Sequence, residues 1–346
     1  MAEEATAAPG TFDLVADLPV RVDAYELEGL EQATPAFVRA STVVHLRGAG
    51  EEGVGEDVTY EPDEQARFQA AGPVLDLAGE HTLASLSRRF DGLPDYRRWG
   101  FESAALDLAL RQAGLPLHEV LGREPRPVTF VVSPSLRGEG AARLRRLREG
   151  RPGLRFKLDP ESSWDEALVA ELAELDCVDV VDFKEAYAWR EPERTAGAEL
   201  YRLVVEALPQ AWIEDPDTAD PEKAAVLEPH HDRITWDAVI HSVADVDALP
   251  FPPRTLNSKP SRFGSLRGLL DFYDTCARRG ISLYGGGQFE LGPGRGQIQY
   301  LASLFHPDAS NDVAPGGYNS PEPADALPGS PLPASPDKVG FRWLQV

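Results

Sequence analysis

From Pro127 onward, short apolar runs return about every 25 residues: VTFVVS, LRFKLD, VDVVDFK, AWIEDP, RITWDAV, RTLNSKP, ISLYGGG and ASNDVAP. Amphipathic segments fill most of the gaps between them. Buried parallel strands are short and apolar, and each needs a long crossover to reach its neighbour. Eight such units in a row therefore predict an α/β fold, a TIM-type (β/α)7β barrel. The crossovers carry helix signals of their own. Ser163 and Glu166 make a capping box at the start of WDEALVAELAEL, and GSLRGLLDFYDTCARRG ends in Arg279-Gly280, a cation and a glycine suited to a helix C-terminus.

The chain ahead of the barrel has a different rhythm. LPVRVDAYELEGL and FVRASTVVHLRG, between Thr11 and about Tyr60, alternate apolar and polar residues as strands do, and GAGEEGVGE supplies turn chemistry between strands. From Asp63 to about Gly122 the period becomes helical, ending in WGFESAALDLALRQAGLPLHEVLG. Strands followed by helices predict a separate N-terminal α+β unit. The expected division is residues 1–125 for this unit, 126–318 for the barrel, and 319–346 for a Pro-rich C-terminal arm. The apolar end of that arm, VGFRWLQV, should dock back on the first unit, while about the first ten residues should be disordered.

Charge and cysteine content narrow the function. Thirty-four Lys and Arg against 57 Asp and Glu give a net charge of −23, a field that repels phosphate backbones and anionic headgroups. Nucleic-acid and membrane partners are excluded on that ground, and no apolar run reaches the roughly 18 residues a spanning helix needs. Two cysteines, Cys177 and Cys276, cannot build a disulfide framework, and the acidic start MAEEATAAPG does not read as a secretory signal, so the expected location is cytoplasmic. Only five of the 34 basic residues are Lys. Lysine can give up its proton when buried and arginine cannot, so the positions that keep Lys become informative.

Active sites of such barrels lie at the C-terminal ends of the strands. Read in order, those ends carry Lys157, Asp182, Glu214, Asp237 and Lys259, each following an apolar run. Three buried carboxylates would cost several kcal/mol apiece if uncompensated, roughly. A hard divalent cation satisfies them, and all-oxygen ligation completed by water and substrate suits Mg2+ better than Ca2+. Ordinary ion pairs with nearby Lys or Arg are the alternative.

These residues resemble a known family. RFK at Arg155 to Lys157, IEDP at Ile213 to Pro216, TWD ending at Asp237 and NSKPSRFGSL around Lys259 are similar to the enolase superfamily, specifically its muconate-lactonizing subgroup with the o-succinylbenzoate synthases and dipeptide epimerases. GVGE at Gly53 to Glu56 resembles that family's capping domain. The resemblance implies that Asp182, Glu214 and Asp237 ligate Mg2+ and that Lys157 and Lys259 face each other across a substrate carboxylate. It implies abstraction of a proton α to that carboxylate through an enediolate, with a neutral lysine as base and Arg155 lending it positive charge. Lysine bases with Mg2+ in enolase-type sites are a known pattern of pKa tuning. Arg155 stands where relatives carry the first Lys of a Lys-x-Lys pair, and is expected to bind substrate. Lys184 stands where they often carry Asn; it is read either as a contact for the substrate's anionic end or as a partner of Glu185. Asn311-Asp312 is not the Asp-x-Asp of dipeptide epimerases, and ISLYGGGQFE offers no His base, which favours the two-lysine version.

The expected activity is an isomerase, racemase, epimerase or cycloisomerase, acting on a small carboxylate-bearing substrate. A β-elimination lyase of the o-succinylbenzoate synthase type is the alternative, and a catalytically idle Mg-dependent carboxylate-binding barrel is the rival of another class. Specificity should lie in cap loops near Leu30 to Arg39 and Glu56 to Pro62. A homo-oligomer is left open. GGGQFELGPGRG reads as a tight turn rather than a phosphate cradle, His230-His231 as a helix-terminal pair rather than metal ligands, and Trp212 and Trp236 as core by strand parity.

Overall fold

The computed structural model describes residues 9–34, 37–136, 138–187, 195–320, 322–324 and 326–344. The first eight residues, positions 35 and 36 of the Leu30–Arg39 loop, and the last two residues of the C-terminal arm lie outside the described residues.

The N-terminal part is antiparallel. β1 (Pro19–Val22) pairs with β5 (Gly79–Thr82), while β2 (Ala24–Ala33), β3 (Val38–Gly48) and β4 (Glu51–Asp57) form a three-stranded meander with β3 at its centre. Only Ala49-Gly50 makes the turn into β4, so most of GAGEEGVGE is strand rather than loop. The reason lies in Gly53 and Gly55. A Cβ on Gly53 would sit 2.3 Å from Ala104 O and Leu108 N, and one on Gly55 would sit 2.1 Å from Gly100 O. The glycines let β4 lie directly on the helix Asp95–Ala113, which is buried along most of its length.

The remainder is parallel. β6 (Val131–Val132), β7 (Arg155–Leu158), β8 (Val178–Asp182), β9 (Trp212–Glu214) and β10 (Ile234–Thr235) form one sheet in chain order, and β11 (Thr255–Ser258) pairs with β12 (Ser282–Gly285). Hydrogen bonds bridge these pieces. Asn257 N donates to Trp236 O (3.1 Å), Asp312 N to Gly285 O (2.7 Å) and Val131 N to Asn311 O (2.8 Å). The run of pairings thus passes from β6 through β12 and, by way of Asn311-Asp312, back to β6.

Helices occupy the crossovers, among them Glu166–Leu175, Ala198–Ala207, Leu266–Arg279 and Pro293–Phe305. The first of these corrects the expected cap. Asp165, not Ser163, is the N-cap residue, its carboxylate accepting from Leu168 N at 2.8 Å. Leu266–Arg279 ends at Gly280 in the left-handed conformation, as its sequence predicts. Trp236 is buried against Phe251, which also stacks on His231. Phe341 and Trp343 are buried at the end of the chain. Phe341 N and the Arg342 guanidinium both bind Asp107 on the helix Asp95–Ala113. No helix among the described residues is long and apolar enough to cross a membrane.

Candidate active site

Charged side chains gather where β7 to β11 end. Lys157 leaves β7 beside a register irregularity in which Phe156 pairs with Val178 but Lys157 with Val180, so that Asp179 drops out of the ladder. The two cations of RFK have different partners. Arg155, at the entrance of β7, gives its guanidinium to Asp179 and to Asp176 O. Lys157, roughly 7 Å further along the strand, is buried, with Nζ 2.7 Å from Glu214 Oε1 and 3.0 Å from Asp182 Oδ2. The structure thus does not bring Arg155 to the cluster, and the expected charge from Arg155 beside Lys157 is absent: the groups that set the lysine's ionisation are carboxylates.

Asp182 ends β8 and is shared by two ammonium groups. Lys184 Nζ lies 2.8 Å from Asp182 Oδ2 and 3.3 Å from Asp159 Oδ1, and Lys184 adopts a left-handed φ of 52°. Glu185, its other expected partner, is instead 3.4 Å from Lys223. Glu214 ends β9 and is fully engaged: besides Lys157 it accepts from Asn257 Nδ2 at 3.2 Å and from the Tyr284 hydroxyl at 2.8 Å. Asp237, just past β10, meets Lys259 Nζ and Arg262 Nη1, each at 2.7 Å. Arg262 Nη2 donates on to the Tyr187 hydroxyl at 2.9 Å.

Asp215 joins this group unannounced by the strand-end pattern. With Asp182 and Glu214 it offers three buried carboxylate oxygens within 4.8 Å of one another. Its side chain also accepts from Asp237 N (2.8 Å) and Ala238 N (2.9 Å), so it holds the segment that carries Asp237. Asp237 itself is turned toward Lys259 and Arg262 and does not belong to that close trio. The signals for the missed residues were adjacent to those used: the Asp of IEDP, the Asn of NSK, and the Arg three positions after Lys259.

The ionisation of the cluster follows from burial and pairing. Burial pushes Glu214 up to about 8, Lys157 only partly opposing it and the neighbouring carboxylates adding to it. Burial, helped by Asp237 and Asp182, raises Asp215 to about 6. For Asp237 burial acts upward too, but Arg262 and Lys259 prevail and hold it down at about 2. Asp182 is likewise held low by Lys157 and Lys184 against its own burial. Burial works against the charge on both lysines, yet Asp182 and Glu214 keep Lys157, and Asp237 keeps Lys259, above the ordinary lysine value. The depressed lysine expected of a neutral base is therefore not what the protein chain alone produces.

Two cavities meet at this cluster. One, of about 420 Å3, is lined by Asp182, Lys184, Tyr187, Asp237 and Lys259 from the parallel part and by Tyr60 and Tyr96 from the N-terminal part. The other, of about 580 Å3, shares Tyr60, Lys184 and Lys259 and adds Lys157 and Asp312.

Known proteins share both sequence and fold with this chain. It matches the family model described as "Domain of unknown function (DUF8230) C-terminal domain" over residues 124–320, and the corresponding N-terminal domain over residues 13–120. The o-succinylbenzoate synthase of Geobacillus stearothermophilus is 26% identical over 246 residues, 68% of this chain and 63% of that protein. The o-succinylbenzoate synthase of Geobacillus kaustophilus is also 26% identical, over 67% of this chain and 62% of its own length. The chain therefore matches less than two thirds of the length of these relatives. Among solved structures, an enolase-superfamily protein from Listeria innocua Clip11262 superposes with a TM-score of 0.63 at 19% identity, covering 86% of each chain. The muconate cycloisomerase of Pseudomonas fluorescens gives a TM-score of 0.64 at 19% identity, covering 85% of this chain and 87% of its own. The chain belongs to the DUF8230 family, whose C-terminal domain spans more than half of it, and it has the fold of enolase-superfamily proteins.

Proposed function

We propose that this protein is an enolase-superfamily isomerase or lyase that abstracts a proton α to the carboxylate of a small substrate. Its architecture is read as a (β/α)7β barrel (126–318) under an α+β cap (1–125), with the 319–346 arm returning to the cap. The circuit of strand pairings and the arm's contacts with Asp107 support that division. The observation that carries the chemistry is a pair of ammonium groups on carboxylates, buried Lys157 on Asp182 and Glu214, and partly buried Lys259 on Asp237. Both line one cavity, as two groups acting on one bound acid anion would have to.

The donor set fits a hard divalent cation. Every candidate ligand is an oxygen, the buried carboxylates of Asp182, Glu214 and Asp215 come within 4.8 Å of one another with Asp237 held beside them by Asp215, and Asn257 Oδ1 is buried without a hydrogen-bond partner among the described residues. We assign Mg2+ to Asp182, Glu214 and Asp237, with Asp215 orienting Asp237 through its two backbone amides. Bound there, Mg2+ would act as a Lewis acid on the substrate carboxylate and take over charge balance that the two lysines now supply. A lysine freed from its carboxylates and kept from water loses its proton more readily, and can then take the α-proton. Return of a proton from the opposite lysine gives racemisation or epimerisation. Loss of a β-leaving group from the same enediolate gives elimination, and the two o-succinylbenzoate synthase relatives favour this second reading. Lys184, beside Asp182 on the cavity wall, is assigned to the substrate's anionic end. Both cysteines are buried and free, in keeping with a cytoplasmic enzyme.

Solvent-deuterium exchange into the α position of a carboxylate library, with Mg2+ present, tests the reading. Exchange with at least one acid is expected, each lysine variant losing it for one enantiomer only. No exchange with any acid would favour a binding protein.

A further inference from the structure

Arg39 is fully buried, and among the described residues its hydrogen bonds go to main-chain carbonyls and not to a carboxylate. Its guanidinium donates to five main-chain carbonyls. Three belong to the N-terminal part, Ala40 (2.6 Å), Val58 (2.8 Å) and Thr59 (2.8 Å), and two belong to the loop after β12, Gln288 (3.0 Å) and Phe289 (3.1 Å). A planar fork with five N–H groups can satisfy such a set, and an ammonium with three cannot.

Glu56, on β4, takes the other end of the same loop. Its carboxylate, also fully buried, accepts from Leu291 N (2.7 Å), Gly292 N (3.0 Å) and Gly294 N (3.0 Å), and from the Ser41 hydroxyl (2.7 Å). A cation from β3 thus holds the loop's carbonyls and an anion from β4 holds its amides. The grip sustains an unfavourable backbone, since Phe289 has a φ of 57°.

The loop reaches the reacting residues. A Cβ on Gly286 would lie 2.8 Å from Lys259 Cε and 2.8 Å from Asn257 Oδ1, so the loop backbone packs against the stem of Lys259. Gln288 lines the cavity and donates to the Tyr96 hydroxyl at 3.1 Å, and Tyr60, beneath the Arg39 guanidinium, lines it from the other side.

We propose that Arg39 and Glu56 are positioning residues: by fixing the loop after β12 from both its carbonyl and its amide side, they set the place of Lys259 and leave Lys157 unaffected. The role of Lys259 as one of two proton-transfer groups rests on the function proposed above; the placement itself does not.

The test therefore reads placement without activity. Lysine accessibility is measured by acetic anhydride labelling and mass spectrometry on the full chain, alongside amide hydrogen exchange. In Arg39→Lys, labelling of Lys259 should change by on the order of tenfold while Lys157 stays within about twofold, and the amides of residues 288–292 and of Gly294 should lose protection. Glu56→Gln should act in the same direction. Gly286→Ala, which pushes on Lys259 directly and leaves the grip intact, should change Lys259 labelling without the loss of loop protection. Equal changes at both lysines in Arg39→Lys, or unchanged loop protection, overturn the proposal. With an exchanging acid in hand, Arg39→Lys should slow exchange at the Lys259 face alone. Absence of exchange in the wild-type protein overturns the proposed function, and the labelling result then decides the positioning role separately.

Discussion

Lys157 donates from Nζ to Glu214 Oε1 across 2.7 Å, with both side chains sealed from solvent. The pair has a direct energetic consequence. Removing the cation leaves Glu214 and Asp182 buried with less compensation, which costs about 3–5 kcal/mol when a buried pair is broken from one side. Lys157→Met should therefore lower stability by that order in urea denaturation with a chelator present. Magnesium should recover part of the loss. A variant as stable as the parent without metal would contradict the burial of this pair.

Divalent cation binding should separate the carboxylates by role. Ligand at about a hundred times its Kd stabilises a folded protein by about 2.7 kcal/mol. Asp182→Asn and Glu214→Gln should abolish the Mg2+-dependent rise in thermal midpoint. Asp237→Asn should do the same, whereas Asp215→Asn should weaken it while retaining a measurable rise. The reverse order for the last two would move the ligand role to Asp215.

The expected role of Arg155 is the part of the sequence reading that its contacts do not support. Its guanidinium lies on Asp179 at the entrance of β7, partly exposed, and such pairs are worth about 0–1 kcal/mol. Arg155→Met should shift the urea midpoint little and leave α-proton exchange within about twofold of the parent. A loss comparable to that of Lys157→Ala would restore it to the site.

The contrast between Arg155 and Lys157 shows what sequence could and could not convey. Strand periodicity and the order of charges located Lys157, Asp182, Glu214, Asp237 and Lys259, because each closes a short apolar run. Periodicity alone puts Arg155 on the same side as Lys157. It does not convey depth: two residues earlier on β7, about 7 Å from Lys157, Arg155 meets Asp179 of the neighbouring strand instead of the strand-end carboxylates. Asp215 was hidden for a similar reason: its partners are backbone amides on the next strand's exit. Arg39 and Glu56 were legible only as the ends of two cap loops and, for Glu56, as part of GVGE, because the loop they hold lies more than two hundred positions away. The Gly53 and Gly55 pair was legible as a motif but misread as a turn, its true cause being close approach to a helix.

Acid should weaken the fold through His306. The ring is buried beside Asn311, whose side chain also joins Gly285 N and Thr129 O at the seam of the parallel strands. Burial pulls its pKa from 6.5 to about 4. A lowered folded-state value means that the unfolded chain binds the proton more tightly. The stabilisation is therefore complete above about 6.5 and lost as pH falls toward 4, a difference on the order of 3 kcal/mol. Urea denaturation at about pH 7.5 and about pH 4 should show His306→Gln losing less stability than the parent over that range. Parallel losses would remove His306 as a cause.

Face-resolved deuterium exchange tests the central claim most directly. Each enantiomer of an exchanging acid is incubated in D2O with Mg2+ and the parent protein, Lys157→Ala or Lys259→Ala, and α-proton loss is followed by NMR. Each substitution should slow one enantiomer by about a hundredfold or more and spare the other in the same assay, with the two variants showing opposite preferences. Equal rates for both enantiomers in both variants, at or near those of the parent, would contradict a pair of opposed lysines.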